Sequence, residues 1–396
     1  MNIGICGPFN PSFVKEFFYE NQNIPNINKA ASAVNTYVKE LLLQGHRITV
    51  VTCCIPGISN DVILRGNNLT VHIVHSDSGL FLTHGLSRFY MVRRLKKVLN
   101  LYVNELDILH AQWTYDFALA SKSFADKLPV FCTIRDWCPY IMTLQNGMRK
   151  LQWKLYHLIF RKVMRGDKIH FIANSKYTYD CVMSEYPQKE VETIFNPIDR
   201  SYIIEEKRNV VIRPTFITIA GSIGEKRKNI VTLLKAFHIF HLNHPDSILK
   251  IVGGGCSEDN PLIKAWKAEG LLDGVELIGY LTHKQLIEEI DKCSCLVHPS
   301  LEETFGNIFL EGMSRCLPVI GGVKAGAFPY VLDNGRAGFL CDVTSVESIN
   351  EALERACDSK TNEEVVTNAT NLLKTHYASN VIVEKHINLY KKYLRK

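Results

Sequence analysis

The chain has 396 residues, 46% of them hydrophobic, with a net charge of +6 and twelve cysteines. That length and apolar content exclude a disordered chain and predict a globular protein of about two domains. No apolar run approaches the ~20 residues of a membrane span, and no signal-type segment precedes the first predicted strand. The cysteines are scattered, with Cys53-Cys54 and Cys293-x-Cys295 but no C-x-x-C pair. A zinc site is therefore not expected, and a reducing cytoplasm fits best.

Residues 2–7 read as a first strand ending in a turn. Residues 8–29 are too many for a routine connection and carry Phe9, Phe13, Phe17, Phe18 and Tyr19, which predicts an ordered loop rather than a tail. From Ala30 the pattern turns helical: Val34, Tyr37, Val38, Leu41 and Leu42 share a face, and Gly45 supplies a stop. Strands follow at 46–52, 70–75, 107–110 and 129–134, with helical stretches between the later ones, the alternation of a doubly wound α/β half. Two predicted strand ends are polar, His110-Ala-Gln-Trp113 and Arg135-Asp-Trp-Cys-Pro139. The carboxyl ends of parallel strands line the ligand crevice, so His110, Arg135 and Asp136 are site candidates. Arg135 can hold an oxygen or a phosphate but cannot act as a base, whereas Asp136 can accept a proton. A structural ion pair between the two is the alternative. Residues 171–177 read as a strand entering a helix capped by Ser175, and 191–195 as a last strand. The charged stretch 199–214 is the predicted linker.

The charge is unevenly spread. Arg88, Arg93, Arg94, Lys96 and Lys97 crowd one predicted helix, and Arg149, Lys150, Lys154, Arg161, Lys162 and Arg165 another, both interleaved with apolar residues. Such helices suit an anionic membrane surface, or equally an ordinary domain helix with a basic outer face.

A second strand series begins at 216–221, followed by the basic turn Ser222-Ile-Gly-Glu-Lys-Arg-Lys228 and a helix over 229–244. Further strands are predicted at 250–255 and 275–280. The stretch 295–320 then reads as strand, loop, helix and strand: Cys295-Leu-Val closed by Pro299, a loop with two carboxylates, a helix opened by Gly306, and a return strand at 317–320. The first N–H groups of that helix, at Gly306, Asn307 and Ile308, favour an anion, and Gly306 lets a phosphate approach the backbone. Glu311 lies five residues further on, about 7.5 Å along the axis. The spacing suits a diphosphate at the helix end, a ribose diol beside Glu311, and Glu303 facing whatever the distal phosphate carries. Lys228, at a predicted strand end, is a phosphate-binding candidate.

Glu303-Thr-Phe-Gly306 with Glu311 and then Pro318-Val-Ile resembles the E-x7-E signature of the retaining family 4 glycosyltransferases of GT-B fold. The resemblance covers nearly the whole chain and is strongest from Gly221 to Asp342. It implies an α/β fold of two doubly wound Rossmann-like domains facing a central cleft. The expected parts are an acceptor domain at 1–205, a nucleotide-sugar domain at 206–375, and a C-terminal helix at 376–396 packing back on the first.

By resemblance, Lys228 holds the donor diphosphate and Tyr280 lies near the base. Ser222 stands where family members carry an arginine, so Lys226 or Arg227 is left to supply the second charge. The family's Gly-Gly pair is replaced by Ala30-Ala31-Ser32, which keeps Ala31 and Ser32 as acceptor-side candidates, and Arg135 stands where a histidine is common.

The expected reaction is transfer of a sugar from a nucleotide-sugar to a hydroxyl of a glycan or lipid-linked acceptor, with no cofactor or metal and no nucleic-acid partner. Glu303, Lys228, Arg135 and Asp136 are the catalytic candidates, and surface polysaccharide synthesis at the cytoplasmic face of the membrane is the expected setting. A non-catalytic nucleotide-sugar binder and a GT-B phosphorylase or epimerase are the rivals.

Overall fold

The computed structural model describes residues 1–27, 31–54, 60–75, 84–204 and 213–394. The chain divides into two compact units, Met1–Pro197 with Ser379–Lys396, and Ile198–Ala378. Ala30 and the middle of the predicted 199–214 linker, with the expected boundary at 205/206, lie outside the described residues.

The first unit is built on an eight-stranded sheet of order β3-β4-β2-β1-β5-β6-β7-β8. Its strands are β1 (Asn2–Cys6), β2 (Arg47–Cys54), β3 (Val62–Arg65), β4 (Leu69–His75), β5 (Ile108–Gln112), β6 (Val130–Ile134), β7 (Ile169–Ala173) and β8 (Val191–Thr193). All neighbours pair parallel except β3 with β4. Its helices are α1 (Ser32–Leu43), α2 (His84–Tyr102), α3 (Asp116–Ser121), α4 (Cys138–Thr143), α5 (Gly147–Met164) and α6 (Lys176–Glu185).

Successive strand side chains point to opposite faces, which sorts the core into two layers. Ile3, Ile5, Ile48, Val50 and Ile108 share one cluster with Tyr37, Val38 and Leu41 of α1. Val51, Val74, Leu109 and Ala111 share the other with Leu95 of α2, Ala118 of α3 and Phe160 of α5. The 8–29 segment carries a 3-10 helix at Pro11–Phe17, buries Phe9 and Val14, and ties Tyr19 to the Arg65 carbonyl, so its phenylalanines serve the core.

The second unit is a six-stranded, wholly parallel sheet of order β11-β10-β9-β12-β13-β14. Its strands are β9 (Thr215–Ser222), β10 (Ile248–Gly254), β11 (Val275–Gly279), β12 (Cys295–His298), β13 (Val319–Gly322) and β14 (Phe339–Cys341). Its helices are α7 (Ile230–Asn243), α8 (Pro261–Ala268), α9 (His283–Ile290), α10 (Asn307–Ser314), α11 (Phe328–Val331), α12 (Val346–Arg355) and α13 (Ser359–Leu372). Strand order runs outward from β9 in one direction and from β12 in the other. The crevice outside their carboxyl ends is therefore the topological switch point, where open α/β sheets bind ligands. In the first unit the equivalent point lies between β1 and β5.

The last helix, α14 (Ser379–Leu394), belongs to the first unit. Its Ile382, Val383, Ile387 and Tyr390 are buried in the α1 layer. The Tyr390 hydroxyl lies 2.5 Å from that of Tyr37, and Ser379 donates to Glu40 at 2.7 Å.

Candidate functional site

The second unit's switch point joins two segments far apart in sequence. After β9, the turn Lys226–Lys228 leads to Asn229, whose left-handed backbone (φ +54°) caps α7. Asparagine tolerates that conformation better than other side chains with a Cβ. Its amide donates to the carbonyls of Pro299 (3.2 Å) and Val343 (2.7 Å), stitching the basic turn to the loop after β12. The Leu301 N–H to Arg227 carbonyl bond (2.9 Å) adds a second stitch.

Across that seam the charged groups converge on one carboxylate oxygen. Glu303 Oε1 lies 2.5 Å from Lys228 Nζ and 2.8 Å from Arg227 Nη1. It also accepts from Ser300 Oγ at 3.1 Å and lies 3.4 Å from His298 Nε2. Burial alone would push the Glu303 carboxyl up, but His298, Lys228 and Arg227 outweigh it and hold the group far below the usual carboxylate range. His298 is pushed down by burial and by Lys228, so the ring stays neutral. Arg227 is held in place by Glu225 and by the Glu302 carbonyl at 2.7 Å. Of the two residues that the missing arginine left as substitutes, Arg227 reaches the cluster, while Lys226 is exposed on the turn. Ser222 ends β9 on the surface, its hydroxyl accepting from the Gly224 N–H at 3.4 Å.

Gly306 is the N-cap of α10 with φ +86°, and a Cβ there would meet Phe328 at 2.5 Å, so glycine is required both by conformation and by space. Opposite it, Gly326 (φ +64°) packs against the Glu303 backbone, and the Ala327 N–H donates to the Glu303 carbonyl at 2.8 Å. The acidic loop is thus clamped on both sides. Asn307 and Ile308 form the first turn of α10, at its positive end. Glu311, on the same helix, lies 3.4 Å from His283 Nε2 at the start of α9. Burial would lower the His283 pKa, but Glu311 and Asp199 raise it, favouring the imidazolium. Tyr280 is 77% exposed, and its hydroxyl donates to the Gly221 carbonyl at 2.8 Å, which holds the ring over the β9 and β10 ends.

In the first unit the predicted residues do not form one site: His110 and Arg135 meet through Gln112, while Asp136 bonds elsewhere. His110 was expected at a strand end, but β5 continues to Gln112, and its ring is buried in mid-strand on the α1 side of the sheet. It lies 2.6 Å from the Tyr390 hydroxyl and 2.7 Å from Thr133 Oγ1, inside the core rather than in a crevice. Arg135 donates to Gln112 Oε1 (3.1 and 2.5 Å) and to Asn196 Oδ1 (2.7 Å). Asp136 accepts from Trp113 Nε1 (2.7 Å) and the Tyr115 hydroxyl (3.0 Å). Ala31 precedes α1 and Ser32 begins it, with Ala31 buried.

Sequence reasoning assigned no role to His298, Ser300 or Asn229. The first two flank Pro299 at a strand end, and that placement was the available signal. Asn229 carried none, because its work is done by distant carbonyls.

The sheet orders define two Rossmann-like α/β units joined in one chain. Residues 30–202 match a family described as Glycosyltransferase Family 4, and residues 203–372 match Glycosyl transferases group 1. The chain belongs to the family 4 glycosyltransferases and has the GT-B fold. N-acetyl-alpha-D-glucosaminyl L-malate synthase from Bacillus anthracis is 22% identical over 90% of this chain and 92% of its own. Sucrose-phosphate synthase from Thermosynechococcus elongatus superposes with a TM-score of 0.75 at 15% identity, over 99% of this chain and 98% of that one. Anabaena Alr3699/HepE in complex with UDP and glucose does so with a TM-score of 0.67 at 14% identity, over 98% and 99%.

Proposed function

We propose that this glycosyltransferase moves a sugar, with retention, from a nucleoside-diphosphate sugar to a hydroxyl of a glycan or lipid-linked acceptor in surface polysaccharide synthesis. One observation carries the donor reading: Lys228 and Arg227 converge on Glu303 at the β9–β12 switch point, beside the Gly306 start of α10. In this reading the donor diphosphate takes over the two cations and the α10 N-terminus, which supply the counter-charge without a divalent metal. Catalysis then rests on preorganised charge facing the departing diphosphate. Glu311 accepts from the ribose hydroxyls, and Glu303, released from its cations, faces the sugar.

Exposed apolar residues beside basic ones support an anionic membrane as a further partner. On α5, Met148, Leu151 and Leu158 are exposed beside Lys150, Lys154, Arg161 and Lys162. Arg88 and Arg94 do not belong to that surface, because they pair with Asp116 and Asp61.

A thermal-shift screen of UDP-, GDP-, ADP- and CMP-sugars on the wild type and Glu311→Ala tests the donor site. A ligand that binds the folded state alone raises its melting temperature. One nucleotide class stabilising only the wild type is expected; no shift with any sugar nucleotide at millimolar concentration sinks the reading. The anomeric configuration of the product by NMR tests retention.

A further inference from the structure

The donor reading leaves unused a cluster at the other switch point, outside the carboxyl ends of β1 and β5. Trp113, the residue after β5, has φ +137°. A bulky side chain at positive φ is a conformational outlier, and such strain persists where surrounding structure imposes it, characteristically at functional sites. Here the indole is what is held: its N–H is bonded to Asp136 Oδ2, and the Trp113 carbonyl lies 3.8 Å from Cys132 Sγ.

Behind it stands a wall of aromatic rings. Tyr115 lies 5.9 Å from Trp113, 6.2 Å from Trp153 and 5.6 Å from Tyr156, centroid to centroid, and Trp153 lies 5.1 Å from Tyr156. Arg88 stacks on Tyr156 at 4.2 Å and pairs with Asp116, which braces the wall and neutralises the cation. Tyr115, Tyr156 and Asp116 are buried, whereas Trp113, Trp153 and Asp136 all reach the surface.

Trp113 and Trp153 pack partly against the core, but core packing by itself does not call for a backbone-strained, part-exposed tryptophan at the switch point. We propose that Trp113, Trp153 and Asp136 form a sugar-binding shelf, on which a neutral pyranose ring stacks against indole and donates a hydroxyl to the carboxylate. The ligand class follows from the chemistry. Indole faces offer large, rigid apolar area for the C–H face of a sugar. Asp136 is pinned on both oxygens by Trp113 and Tyr115, so it meets a hydroxyl in a fixed orientation. Its negative charge disfavours a phosphate at the same spot, and Arg88 is already neutralised. That the bound ring belongs to the acceptor rests on the transferase reading above; the shelf itself does not.

Saturation-transfer NMR with a panel of methyl pyranosides tests the shelf on the wild type, Trp113→Ala, Trp153→Ala and Asp136→Asn. Sugar-nucleotide thermal shifts are recorded on the same samples. At least one pyranoside is expected to bind the wild type, with affinity falling about tenfold in each variant, the order of a lost stacking contact or hydrogen bond. The sugar-nucleotide shifts are expected to stay unchanged. Trp153 lies on α5, away from the strained backbone, so its variant keeps the test alive if Trp113→Ala fails to fold.

No pyranoside binding to the wild type overturns the shelf, as does binding indifferent to both tryptophans. Tryptophan-dependent binding of a decyl chain without a sugar also overturns it, in favour of an apolar-chain site. Pyranoside binding that behaves as expected, with no sugar-nucleotide shift in the wild type, would leave the shelf standing and remove the transferase reading instead.

Discussion

The two sheets put polar groups to opposite use. Beneath the first unit's switch point, His110, Tyr37, Tyr390 and His386 form a buried network under α1 and α14, with Arg135 beside it. Burial decides protonation there: it pushes His386 down to about 4, His110 lower than its ordinary range, and Tyr390 up, so these groups are neutral. Even Arg135 is brought down to about 10 by burial, with Tyr37 and Cys132 opposing. Across the second unit's switch point burial acts on Glu303 in the same sense but loses to the cations and hydrogen bonds around it. The sheet face covered by α1 and α14 keeps its histidines and tyrosines uncharged and structural. An end left open keeps its polar groups ionic and available to an anion. The presence of titratable residues at a parallel strand end therefore does not distinguish architecture from chemistry; what covers them does.

Charge deletions at the open end should give the largest effects. Lys228→Ala and Glu311→Ala are each expected to lower kcat/KM by about 100- to 1,000-fold with little change in melting temperature, the scale of losing one preorganised electrostatic contact. Steady-state kinetics beside a melting curve checks this, and a loss of fold in Lys228→Ala would show that the ion cluster is structural after all.

Acid should separate the two ends. His386 is depressed in the folded state, so the unfolded chain binds more protons between the ordinary histidine range and about 4. Stability is then lost as pH falls through that window, by about 3 kcal/mol from this group. His386→Phe should flatten the acid limb in denaturant titrations from pH 7 to 4.5. The Glu303 pKa is also lowered, but in favour of its charged form. Its contribution is fully present above the ordinary carboxylate pKa and is lost only as pH falls from there through the depressed one, so the donor site should remain ionised from pH 7 to 4.5.

Tyr390→Phe removes the hydroxyl shared by Tyr37 and His110 and should cost about 2 kcal/mol, leaving buried polar atoms unpaired while donor binding is untouched. At the open end, Gly306→Ala should cost about 1–2 kcal/mol for a Cβ in the left-handed region and also weaken nucleotide binding, because Phe328 must move. His283→Ala should have the smallest effect, below about 1 kcal/mol. The His283–Glu311 pair is fully present below the ordinary histidine pKa and is lost as pH rises through the raised one, so wild type and variant should converge in alkaline buffer.

Most of the second unit was legible because its chemistry is local. Gly306 and Glu311 share one helix, Glu303 lies just before it, and Lys228 ends a turn after a strand, so spacing along a regular element predicted their proximity. The first unit was less legible because its pairings are non-local. His110 and Arg135 looked alike as polar residues near strand ends, but a two-residue extension of β5 turned the first into a core residue. Its partner Tyr390 lies 280 positions away. The aromatic wall was equally hidden: Trp113, Tyr115, Trp153 and Tyr156 come from a strand end and a helix that no periodicity relates.

The sequence by itself determined the alternation of strands and helices, the two-domain α/β class, the E-x7-E loop and the family, since these are carried by local pattern and short spacing. Tertiary structure alone decided that Tyr390 of α14 meets Tyr37 and His110, that Arg227 rather than Lys226 joins Lys228 on Glu303, and that Trp113 is strained toward Asp136. Each of those depends on side chains meeting across long loops, where only the packed fold sets which groups are buried and which stay charged.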